Sequence, residues 1–116
     1  MTAARRAIPA LVWAGVIWQL SALPPSALPQ LFPQADKLAH AVLYAVLGGL
    51  LTLALPAGTL AGATGAIAIG TLYGVTDEIH QFFVPGRSTE IADVLADWCG
   101  VMLAVGWQHR RAGGQP

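Results

Sequence analysis

Between Ala7 and Ala35 no side chain carries a charge, and residues 7 to 23 are apolar enough without a break to predict a helix that Pro24-Pro25 ends. Arg5-Arg6 ahead of this run and Ser21-Ala22 behind it also match a secretory signal peptide. Trp13, Trp18 and Gln19 are poor components of a short cleavable apolar core, however, and the prolines suit the exit from a retained helix. From Leu38 to Thr76 the only ionisable side chain besides tyrosine is His40, yet the run is about twice as long as one crossing of a roughly 30 Å hydrocarbon layer requires. It must fold back, and Pro56-Ala57-Gly58 supplies the break. The second and third helices are therefore expected at about residues 38–55 and 59–76, each about 27 Å long at 1.5 Å per residue. A fourth is expected at about residues 91–107, where the pattern departs from the rest: Asp93 and Asp97 lie one turn apart on one face, and polarity stops after them.

Along the third helix Gly58, Gly62, Ala66, Gly70 and Gly74 recur at steps of four, a stripe with no side chain larger than a methyl group, and the next step reaches Glu78. Helices approach such a stripe closely, which marks the third helix as the expected centre of the assembly.

Composition turns this helical pattern into a membrane expectation. The 116 residues form a single domain by length, 55% hydrophobic and only 10% charged, with a mean hydropathy of +0.59. The expected class is an all-α integral membrane four-helix bundle with short loops. A formal net charge of zero offers no basic surface to nucleic acid. The single Cys99 has neither a disulfide partner nor a metal-spaced companion and reads as a small apolar filler. Arg5 and Arg6 precede the first helix and Arg110 and Arg111 follow the fourth, whereas the two opposite connections hold only Lys37 and Arg87. Positive charge collects on the cytoplasmic side, so both termini are expected there, in a multi-pass protein of a bacterial cytoplasmic membrane.

The polar residues then fall at one level on the extracytoplasmic side. Asp36, His40 and Tyr44 recur at steps of four on the second helix, and Tyr73, Asp77 and Gln81 do so at the end of the third, flanked by Glu78 and His80. Glu90, Asp93 and Asp97 open the fourth. Ionisable groups inside a membrane are costly and mark functional sites by default, although a cluster that only locks helices together is the plain alternative. Three chemistries compete. Glu78, His40 and Asp77 could serve as acid and base. A divalent metal could use His40, His80 and Glu78 or Asp93, but no H-E-x-x-H or C-x-x-C spacing is present, and no cofactor is expected. Recognition of a phosphate or carboxylate is the easiest to support, with Arg87 aimed by the Pro85-Gly86 turn, Lys37 beside it, and Gln81, Tyr44, Asp36, Asp93, Asp97 and His80 completing the pocket. Pairing of Arg87 with Glu90 at the interface competes with that role. Phe82, Phe83 and Val84 are expected to seat the loop, and Trp18 and Trp107 to lie in interface belts.

The segments from Asp36-Lys37 through His40 to Tyr44, from Asp77-Glu78 through Gln81 to Pro85-Gly86-Arg87, and from Asp93 through Asp97 to Gly100 resemble the three signature blocks of the VanZ-like family, and the likeness runs from about residue 10 to 107. The resemblance implies a small bacterial membrane protein whose namesake is associated with low-level teicoplanin resistance. It carries the family's recurring polar positions onto the residues of these blocks. At one position, Asp97, the family pattern usually has asparagine. The expected function is binding of an envelope component or lipoglycopeptide, in contact with membrane lipids. A membrane-embedded hydrolase or transferase of a lipid-linked phosphate is the enzymatic alternative, and an accessory subunit the structural one. No oligomeric state follows from the sequence.

Overall fold

The computed structural model describes residues 2–24, 27 and 31–113. Pro25, the second of the two prolines expected to end the first helix, lies outside the described residues. Four helices follow one another: α1 (Ala3–Ser21), α2 (Ala35–Ala54), α3 (Leu60–Phe82) and α4 (Ile91–Gly113), with no strand among the described residues.

Local chemistry sets the ends. The Thr2 hydroxyl caps α1 by accepting from the Arg5 amide at 3.2 Å, and Pro9, inside the helix beyond its first turn, forgoes one backbone hydrogen bond. Between α2 and α3, Leu55 turns extended, Gly58 takes a φ of +71°, and the Thr59 hydroxyl accepts from Gly62 N at 2.9 Å to start the next helix. Gly86, at φ +82°, makes the corresponding turn before α4.

α1 and α2 begin earlier than the hydrophobic pattern predicts, at Ala3 and Ala35, and α3 and α4 run on past their expected ends. α3 continues past Thr76 to Phe82, so Asp77 to Gln81 are its last turns rather than a connection, and α4 continues past Trp107 to Gly113. The charged residues end the apolar runs but not the helices, because Asp77, Glu78 and Gln81 point inward, where they have partners.

The packing also corrects the expected centre. α2 and α3 each contact all three other helices, but the interfaces of α2 are the more extensive, above all the one with α4. There the backbones nearly touch. A Cβ on Gly100 would run into the Ala41 carbonyl oxygen, and one on Gly48 would stand 3.2 Å from Val101 Cα. The small-residue stripe of α3 is buried at Gly62, Ala66, Gly70 and Gly74, where it receives Val101 and Asp97 of α4, while Gly58 belongs to the preceding turn.

The connectivity is up-down-up-down, which puts both termini at the end where Gln108 meets Thr52 and Ala112 meets Gly58. The exterior is apolar on all four helices: Leu11, Leu38, Leu72, Ile79, Leu95 and Leu103 are all more than half exposed. Among the four, α2 is long and apolar enough to cross a membrane by length and composition.

Candidate functional site

At the end away from the termini, the last turn of α1, the first turns of α2 and α4 and the last turns of α3 bring their polar side chains together. The inner layer holds two buried carboxylates. Asp77 receives the Tyr44 hydroxyl at Oδ2 (3.1 Å) and the Ser21 hydroxyl at Oδ1, with the Ile17 carbonyl, 2.9 Å away, as the second acceptor open to Ser21. Asp97 pairs with His40, Nδ1 to Oδ1 at 2.7 Å, while its Oδ2 is buried beside Gly74 with no partner among the described residues. A proton must lie between His40 Nδ1 and Asp97 for that contact to be favourable. Asp77 and Asp97 are each about 1% exposed, so this layer is closed to solvent.

The outer layer is a belt around the mouth. Glu78 accepts from the Glu90 amide at 2.9 Å, which ties the end of α3 to the residue preceding α4. In the amide orientation its neighbours require, Gln81 donates to Glu78 (3.1 Å) and accepts from Arg87 Nη2 (3.1 Å). Arg87 Nη1 donates to the Leu23 carbonyl at 3.1 Å. Lys37 Nζ stands 2.7 Å from Glu90, 3.4 Å from Asp36 and 3.5 Å from Asp93. Both cations expected to hold an anion are thus engaged by the protein itself. Lys37 is surrounded by three carboxylates, and Arg87 bridges the end of α1 to Gln81 instead of pairing with Glu90.

The structure gathers Asp36, Lys37, His40, Tyr44, Asp77, Glu78, Gln81, Arg87, Asp93 and Asp97 at one end but divides them. His40, Asp36, Arg87, Glu90 and Asp93 line an open cavity of about 660 Å3 between α2 and the loop before α4. Glu78 faces the other way, onto a largely apolar groove of about 420 Å3 between α3 and α4, with Ile79, Phe82, Phe83 and Ile91. An acid–base pair formed from Glu78 and His40 would have to act across that divide. His80 leaves the cluster: its ring stacks on Trp18 of α1, centroids 3.7 Å apart and 5° from parallel. His40 and His80 therefore have different partners, and among the described residues no group of three His, Cys, Asp or Glu side chains is arranged to hold a metal ion.

Three contributions were not apparent in the sequence. Ser21, noted in the sequence only as a small residue behind the first apolar run, supplies a donor to Asp77. Trp18, read as an interface residue, covers His80. Tyr73 turns from the cluster and donates to the Ala14 carbonyl at 2.5 Å. No sequence signal distinguishes Ser21, since its role depends on how α1 is rotated against α3.

A family model described as VanZ/LLP1 matches residues 2–109. No curated protein and no solved structure matches the chain.

Proposed function

The chain belongs to the VanZ/LLP1 family, and from that premise we propose that it is a four-span protein of the bacterial cytoplasmic membrane. In this reading its termini are cytoplasmic, and the cavity at the far end binds a membrane-borne envelope component. The apolar exterior on every helix supports residence in lipid, because those side chains have no other apolar medium to face. The arginines at residues 5, 6, 110 and 111 support the orientation, since they sit at the end that holds both termini. The observation that carries the binding role is the 660 Å3 cavity itself, which combines charged groups with an apolar wall of Leu31, Phe32, Leu38 and Val42. A helix lock needs no such opening.

The teicoplanin association that the family resemblance implies fits the same cavity, because an acyl-tailed glycopeptide reaches the protein from the membrane plane. The enzymatic reading draws no comparable support, with Glu78 and His40 on different openings. The test is native mass spectrometry of the protein purified from its membrane. An adduct of constant mass that is retained by the wild type and lost in Arg87→Gln is expected. Bare wild-type protein, or an adduct that survives Arg87→Gln unchanged, would overturn the assignment.

A further inference from the structure

All six carboxylates of the chain, Asp36, Asp77, Glu78, Glu90, Asp93 and Asp97, lie at this one end, against two non-histidine cations, Lys37 and Arg87. The imbalance is sharpest at the cavity, whose lining includes Asp36, Glu90 and Asp93 but only Arg87 as a fixed cation. One ammonium, that of Lys37, serves all three of those carboxylates. It hydrogen-bonds Glu90 and Asp36 but reaches Asp93 only at ion-pair range, and Asp93 Oδ1, on a residue 5% exposed, has no hydrogen bond among the described residues. Asp93 thus has an ion pair at 3.5 Å but no hydrogen bond to its Oδ1 among the described residues, and a second cation supplied from the cavity that this residue lines would add the donor it lacks.

Resting on the binding role proposed above, we propose that the cavity takes the headgroup of an aminophospholipid, its primary ammonium at Asp93 and its phosphate at Arg87. A primary ammonium offers three N–H donors to acceptors spread over Asp93, Asp36 and His40, whereas a trimethylammonium of equal charge offers none. Arg87 has spent one N–H on Leu23 and one on Gln81, which leaves three of its five for phosphate oxygens. The wall accounts for the rest of the molecule. Leu31, Phe32, Leu38 and Val42 are exposed beside these polar groups, a surface that a small free amine would leave uncovered and an acyl chain would cover.

Delipidated protein in detergent, titrated with dioleoyl lipids that differ only in headgroup and followed by native mass spectrometry, separates the possibilities. Phosphatidylethanolamine is expected to bind at least tenfold more tightly than phosphatidylcholine or phosphatidylglycerol. Asp93→Asn should bring it down to the phosphatidylcholine level while leaving phosphatidylglycerol unchanged, and Arg87→Gln should weaken all three. Asp36→Asn, at a half-exposed position where folding is not at stake, should lower the ethanolamine preference severalfold. Equal binding of the three lipids, a preference for phosphatidylglycerol, or a preference untouched by both aspartate substitutions would overturn the headgroup assignment and leave the binding role standing. If wild type binds no lipid better than the Asp93→Asn/Arg87→Gln double variant does, the binding role fails with it.

Discussion

At the scale of single residues, Asp97 is the most informative position. Its Oδ1 is satisfied by His40 at 2.7 Å, and its Oδ2 sits buried against Gly74 with no partner among the described residues. Asparagine, the residue usual in the resembled family, would keep the acceptor that His40 uses and remove the charge. Truncating His40 alone, in contrast, strands a buried carboxylate, a change that typically costs about 3 to 5 kcal/mol. His40→Ala is therefore expected to be strongly destabilising with Asp97 in place and much less so in the Asp97→Asn background. Chemical denaturation of the four proteins of this cycle in detergent measures the difference. Additive effects would mean that the two side chains do not share a proton in the folded protein.

At the scale of helices, the tight contacts are between backbones. Gly100 lets α4 lie against the Ala41 carbonyl, and no rotamer change can relieve a clash with main chain. Gly100→Ala is expected to cost about 1 to 3 kcal/mol through displacement of α2 from α4. Gly106, further along the same helix with nothing near its missing Cβ, should tolerate alanine or gain about 0.5 to 1 kcal/mol. Thermal unfolding of the two variants side by side checks the contrast, and equal melting temperatures would place the close approach elsewhere.

This level also shows how far the chain can be read without coordinates. The four helices follow from apolar runs broken by Pro56-Ala57-Gly58, and the gathering of Asp36, Asp77, Asp93 and their neighbours at one end follows from helical spacing and antiparallel connection. The length of α3 does not, because Asp77, Glu78 and Gln81 look like a loop until their inward partners are known. The pairings do not either. Whether His40 meets Asp97 or His80 is a matter of rotation about the helix axes, to which four-residue spacing is indifferent, and α2 took the central position through a contact of Gly100 with backbone that the longer stripe of α3 did not foreshadow.

At the scale of the whole molecule, charge is sorted along the bundle axis: four arginines at the terminal end, all carboxylates at the other. Cysteines placed at Ala57 and Ser88, in a Cys99→Ala background, are exposed in opposite end loops. An impermeant maleimide applied to intact cells with a permeabilised outer envelope should label the Ser88 position and spare the Ala57 position until the inner membrane is opened. Labelling of both, or the reverse pattern, would exclude the proposed orientation.

The central place of α2 bears on how such a protein is made. In the membrane proposed here it is the helix with enough apolar length to partition on its own, whereas α4 would carry Asp93 and Asp97 in its opening turns, and an aspartate costs about 2.5 to 3.5 kcal/mol at mid-depth and less toward the interface. Lys37 and His40, which answer those aspartates, are carried by α2 and are synthesised earlier. On that order α2 would enter the bilayer as a template and α4 would be admitted after it, so that the mouth of the cavity is assembled only when α4 has joined α2.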